Sequence, residues 1–186
     1  MPGYKYFEDY TIGQKQTTSG RTMTEADIRL FIGCSDNTHP VHVDAQYCER
    51  HPSVTGCILQ GDLILGVADG FFAKEITPSK VPSIHYGMDK VRFVKPTYPG
   101  DTVHCETEVV GQDIKNEQFG VITWNVNVLN QRGETVIFYV DKQYIGRRSA
   151  LPWPSARPSW QCSIPSAASP AALWASTGFP ETSTCL

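Results

Sequence analysis

Leu59-Gln-Gly-Asp-Leu-Ile-Leu-Gly-Val-Ala-Asp-Gly-Phe-Phe-Ala73 decides the fold. Leu63, Ile64, Val67, Ala68, Phe71 and Phe72 recur at i, i+1, i+4 and i+5, so the stretch is predicted as a helix with a broad apolar face. Asp62, Gly66 and Asp69 form a narrow stripe on another side. Asp62 suits the positive end of the helix dipole. Asp69 lies mid-helix among large hydrophobes, where a carboxylate must be solvated, paired or functional.

On its C-terminal side the period changes to two. Lys90–Lys95, Thr102–Val110 and Val121–Leu129 alternate apolar and polar residues, and Thr135–Ile145 is richer in apolar residues and reads as a more central strand, with turns at Pro99-Gly100-Asp101, Asp113–Asn116 and Gln131–Glu134. A strand meander after a buried helix implies an α+β domain with the helix against one face of an antiparallel sheet. Lys90, Arg92 and Lys95 line one strand face and read as solvated.

On its N-terminal side, Gln14–Arg21 reads as an edge strand. Thr24-Glu25-Ala26-Asp27 has capping-box spacing and opens a helix that is expected to stop at Gly33. Then comes Asp36-Asn37-Thr38-His39-Pro40-Val41-His42-Val43-Asp44, a loop with two histidines, flanking carboxylates and a stiffening proline. Such acid–base capacity on a rigid loop is where chemistry collects. Asp44 reads as the cap of a short helix over 45–50.

Composition bounds the rest. The 186 residues make one domain with a tail: 1–148 folded, and 149–186 a disordered Ser/Ala/Pro-rich tail. A shifted reading frame would produce a tail equally foreign to the domain before it. The net charge of -3 gives no reason to expect nucleic acid. No apolar run reaches a membrane span, and the N-terminus has no signal-peptide h-region. Six scattered cysteines support neither a zinc site nor a disulfide framework. Cys34, Cys48, Cys57 and Cys105 read as packing residues of a reducing, cytoplasmic compartment.

Pro40-Val-His-Val-Asp44, Gln60-Gly61, and Val91-Arg-Phe-Val-Lys-Pro96 with Pro99-Gly-Asp101 resemble the MaoC-like (R)-specific enoyl-CoA hydratases over residues 5 to 147. The resemblance implies a hot-dog fold: a curved antiparallel sheet wrapped around a long central helix. It implies homodimers or higher homo-oligomers with acyl-CoA sites at the subunit interface. It also implies reversible hydration of trans-2-enoyl-CoA to (R)-3-hydroxyacyl-CoA, with coenzyme A as part of the substrate and no other cofactor.

Carried over by residue, His42 matches the family histidine and Gly61, beside Gln60, the oxyanion-binding glycine. The family carboxylate falls on Asn37, and the family asparagine on His39. The Asn-Thr-His-Pro-x-His pattern looks like a sub-branch acting on short branched or dicarboxylic acyl-CoA. The missing carboxylate is expected from Asp69, eight residues after Gly61, where the family often has a hydroxyl touching its carboxylate. Asp36 is the rival. His39-x-x-His42-x-Asp44 lacks a further ligand, so no metal is expected. His39 reads as a loop hydrogen-bonder. Two alternatives stand beside the hydratase: a hot-dog thioesterase using Asp69, and a degenerate acyl-CoA-binding module, which Asn37 favours.

Overall fold

In the computed structural model, residues 5–149 are described. The tail assigned to 149–186 lies, but for Ser149, outside them. Among the described residues no helix is long and apolar enough to cross a membrane.

Six strands form the sheet: β1 (Lys15–Thr17), β2 (Arg21–Thr22), β3 (Ser83–Phe93), β4 (Thr102–Ile114), β5 (Phe119–Leu129) and β6 (Thr135–Gly146). Their order is β1-β4-β5-β6-β3, with β2 also on β4 and every pairing antiparallel. The alternation read over β4 and β5 is the observed burial pattern, whereas that read over Lys90–Lys95 is not. Val103, Cys105, Thr107 and Val109 of β4 are buried, as are Trp124, Val126 and Val128 of β5.

Among the described residues there are four α-helices, α1 (Glu25–Ser35), α2 (Pro40–Val43), α3 (Ala45–Arg50) and α4 (Gly61–Phe71), and a 3-10 turn at Phe7–Asp9. The central helix α4 buries Ile64, Ala68 and Phe71. It passes into a π-helical turn, Phe72–Ile76, whose first residue packs edge-on to Trp124 at 5.8 Å. This is the helix-on-sheet layering expected from the period change.

Several boundaries differ from expectation. The stretch over 14–21 is two short strands, separated where Thr18 Oγ1 accepts from Cys105 N–H. The Thr24–Asp27 capping box is present, but α1 runs past Gly33 to Ser35. Asp36, not glycine, takes the left-handed cap at φ 54°, helped by the short polar side chain. The histidine loop contains the helical turn α2, which Pro40 starts because its fixed φ suits a first helical position. Strand β3 begins before Lys90 and is bulged twice, between His85 and Gly87 and between Asp89 and Arg92. Those bulges hide its alternation. Cys48 and Cys105 are buried as expected, Cys57 is partly buried, and Cys34 is exposed rather than packed.

Candidate active site

The N-terminal end of α4 meets the histidine turn at one cavity of about 280 Å³, bordered by His42, Ile58, Gly61, Asp62, Phe93 and Lys95. His42 is fixed by a 2.8 Å contact from Nδ1 to the Ile58 carbonyl oxygen. A carbonyl can only accept, so in the neutral ring Nδ1 carries the proton and Nε2 the lone pair. The turn is itself tied down: Ile58 N–H donates to the Val41 carbonyl at 3.1 Å, and Leu59 N–H to that of Thr97 at 2.8 Å.

Gln60 precedes α4 and its side chain caps nothing. The first N–H groups of the helix, beginning at Gly61, therefore have no partner within it and point outward. A Cβ on Gly61 would lie 2.6 Å from the Phe93 ring, so glycine is needed for that ring to sit on the backbone. Phe93 is 56% exposed, a large aromatic covering the helix end. Reading the sequence missed it, because in Lys90-Val-Arg-Phe93 it falls on the apolar phase with Val91.

One wall of this cavity is Pro96–Thr97, held by the Pro99–Asp101 turn. The buried Asp101 accepts from Tyr98 N–H at 2.9 Å, from Gln131 Nε2 at 2.8 Å and from Arg132 Nη1 at 3.0 Å. Burial pushes its pKa up, but the Tyr98 N–H, Gln131 and Arg132 outweigh it and hold the carboxyl below its ordinary value.

The other candidates fall as follows. Asn37 is half-buried, and its backbone carbonyl accepts a long 3.5 Å contact from Gln60 Nε2. Gln60 is 1% exposed, and its Oε1 has no hydrogen-bond partner. Asp36 is exposed and caps α1. His39 caps α2, its Nδ1 accepting from Val41 N–H at 3.3 Å. Asp44 caps α3 through Tyr47 N–H at 3.0 Å.

Asp69 is not brought to His42. It does not border the His42 cavity, and its ion-pair partner is His85 at 3.6 Å. The expected exchange of carboxylate and amide is therefore not made within the chain: Ile58, a backbone carbonyl, takes the position behind His42. Asp69 is half-exposed because the Asp62–Gly66–Asp69 stripe faces away from the sheet core. On its far side His85 approaches the fully buried Asp141 at 3.3 Å. The Asp141 carboxylate raises the pKa of His85, burial opposing it and Asp69 adding to it. Neither His85 nor Asp141 was singled out in the sequence. They belong to separate strands, with no motif joining them to Asp69.

The chain resembles several known proteins. The MaoC like domain family matches residues 8–130. Protein MaoC of Klebsiella aerogenes is 31% identical over 130 residues, covering 67% of this chain and 37% of that protein. This chain thus spans little more than a third of that relative's length. An (R)-specific enoyl-CoA hydratase of Rhodospirillum rubrum is 29% identical over 108 residues, covering 57% of this chain and 70% of the hydratase. The crystal structure described as a monoamine oxidase regulatory protein from Archaeoglobus fulgidus superposes with a TM-score of 0.71 at 33% identity, over 77% of this chain and 95% of that one. The fold is the hot-dog fold.

Proposed function

The chain belongs to the MaoC-like domain family, and from that premise we propose that it adds water reversibly across the double bond of a trans-2-enoyl-CoA, giving the (R)-3-hydroxyacyl-CoA. The observation that carries this reading is that His42 and Gly61 border the same cavity. Hydration needs a base for water, a proton for Cα and a partner for the oxygen of the developing enolate.

His42 Nε2 takes a proton from water as the water oxygen bonds to Cβ. The electron pair of the double bond moves toward the thioester carbonyl, whose oxygen is held by the Gly61 N–H. The imidazolium then returns a proton to Cα, so one water is added and the base is regenerated. Ile58 keeps the imidazole in the tautomer this requires. Gly61 and the Phe93 ring define how the thioester approaches. Asn37 orients the water through its amide; it cannot carry charge, which leaves His42 as the single base. Coenzyme A enters only as part of the substrate.

The chain works as a homodimer. Strand β3 closes one edge of the sheet and exposes Ile84 and Phe93, an unpaired edge suited to a second copy. The Asn37-Thr38-His39-Pro40-x-His42 pattern favours short branched or dicarboxylic acyl groups. The free thiols at 34, 48, 57 and 105 fit the cytoplasm.

Purified protein is assayed on crotonyl-CoA and on branched and dicarboxylic enoyl-CoAs. Loss of enoyl absorbance with formation of the (R)-3-hydroxy product supports the hydratase. Release of free thiol makes it a thioesterase, and saturable binding without turnover makes it a binding module; either replaces the proposal.

A further inference from the structure

The cluster at the C-terminal half of α4 is used by none of this. Asp69 comes from α4, His85 from β3 and Asp141 from β6. One ligand atom from each lies within 4.8 Å of those of the other two. His85 Nδ1 is 3.6 Å from Asp69 Oδ1, and Nε2 is 3.3 Å from Asp141 Oδ2.

Asp141 is the decisive member. It is 0% exposed. Its Oδ1 accepts from Gln143 Nε2 at 2.8 Å, which sets the plane of the carboxylate. Its Oδ2, aimed at His85, has no hydrogen-bond partner. His85 Nε2 approaches to 3.3 Å, but no N–H is aligned on that oxygen. A buried carboxylate oxygen left this way is costly unless something cationic completes it. Beside the cluster a cavity of about 480 Å³, bordered by Asp69, His85, Gln143, Thr77 and Ser83, admits water.

We propose that Asp69, His85 and Asp141 form a binding site for a divalent transition-metal cation of the zinc or manganese class. Two carboxylates and one neutral imidazole balance a dication, and oxygen with nitrogen donors suits these ions. Bonds of about 2.0–2.2 Å place ligand atoms roughly 3.4 Å apart, so the cluster tightens modestly on binding. Asp69 supplies the movement, because its side chain is 45% exposed, whereas Asp141 is held rigidly by burial and by Gln143. Three protein ligands beside an open cavity leave a coordination position for water. None of the three ligands borders the His42 cavity, so the site stands apart from the proposed hydration chemistry.

The test uses the full chain without a histidine tag, stripped with chelator and titrated calorimetrically with Zn²⁺ and Mn²⁺, and with Co²⁺ followed by its visible bands. The expected result is one cation per chain. Asp141→Asn abolishes binding, and Asp69→Asn and His85→Ala weaken it at least tenfold. Gln143→Ala weakens it about tenfold through the carboxylate it orients. His39→Ala and His42→Ala bind as the unmodified chain does. Asp69 is partly exposed, so its variant keeps the test valid if Asp141→Asn fails to fold. Absence of binding at millimolar metal overturns the proposal. So does unchanged affinity in Asp69→Asn, or loss of binding in His39→Ala or His42→Ala.

Discussion

The two ends of α4 are built in opposite ways. At the N-terminal end, His42 and Gly61 come from nearby stretches of chain, and the polar groups are held by backbone carbonyls and by free helix N–H groups. At the C-terminal half, Asp69, His85 and Asp141 come from three distant elements and hold one another. The first end is open and backed by rigid backbone, as a reacting centre requires. The second concentrates charge around a buried carboxylate, as an ion site requires. One helix thus carries two chemistries because its ends differ in what lies behind the side chains, not in how many polar residues they have.

The comparison breaks first at His42. Its replacement by alanine is expected to lower turnover on the preferred enoyl-CoA about a thousandfold, the range of a lost general base, with a much smaller change in KM. A loss under tenfold would remove the distinction between the ends. At the other end the large effect falls on stability. His85→Ala leaves the Asp141 carboxylate buried and without the ring that faces it, and is expected to cost about 3 kcal/mol in urea unfolding. An unchanged midpoint would mean that the carboxylate is not charged in the native protein.

Sequence reading recovered the two ends unequally, for the same reason. The helix, the long strands β4, β5 and β6 and the capping box were legible because each is a local periodicity or spacing; of β3 only the end after Lys90 was read. His42, Gly61, the Asp44 cap and the Pro99–Asp101 turn were legible as short motifs, whereas His39 was read as a loop hydrogen-bonder and is the cap of α2. The pairing of Asp69 was not, because its partners lie on strands brought beside it only by the fold. His85 was further hidden by the bulges in β3, which break the alternation that would have given its face. Phe93 was passed over because a phenylalanine in an alternating strand reads as core, yet it is exposed against Gly61.

Gly61→Ala sharpens the account of the open end. The added methyl meets the Phe93 ring while leaving the N–H in place, so kcat/KM is expected to fall about tenfold through misplacement alone. Phe93→Ala in the same chain should restore part of that loss. Full activity in Gly61→Ala would show that the ring does not set the approach.

Smaller effects belong to the supporting turns. Asp44→Ala removes the α3 cap and is expected to cost about 1 kcal/mol with turnover kept. Asp101 has a folded pKa below its unfolded value, so its stabilisation is complete above the unfolded value and is lost as pH falls through the folded one. Asp101→Asn should therefore flatten the acid side of the stability–pH profile and leave the neutral side parallel. An acid limb identical to that of the unmodified chain would contradict the charge-paired reading of this turn.

The most direct measurement is a crystal structure of the His42→Ala variant with an enoyl-CoA trapped in it. The account predicts the thioester oxygen about 3 Å from the backbone nitrogen of residue 61, with Cβ facing the space vacated at residue 42. A thioester lying instead against His85 and Asp69 would contradict it.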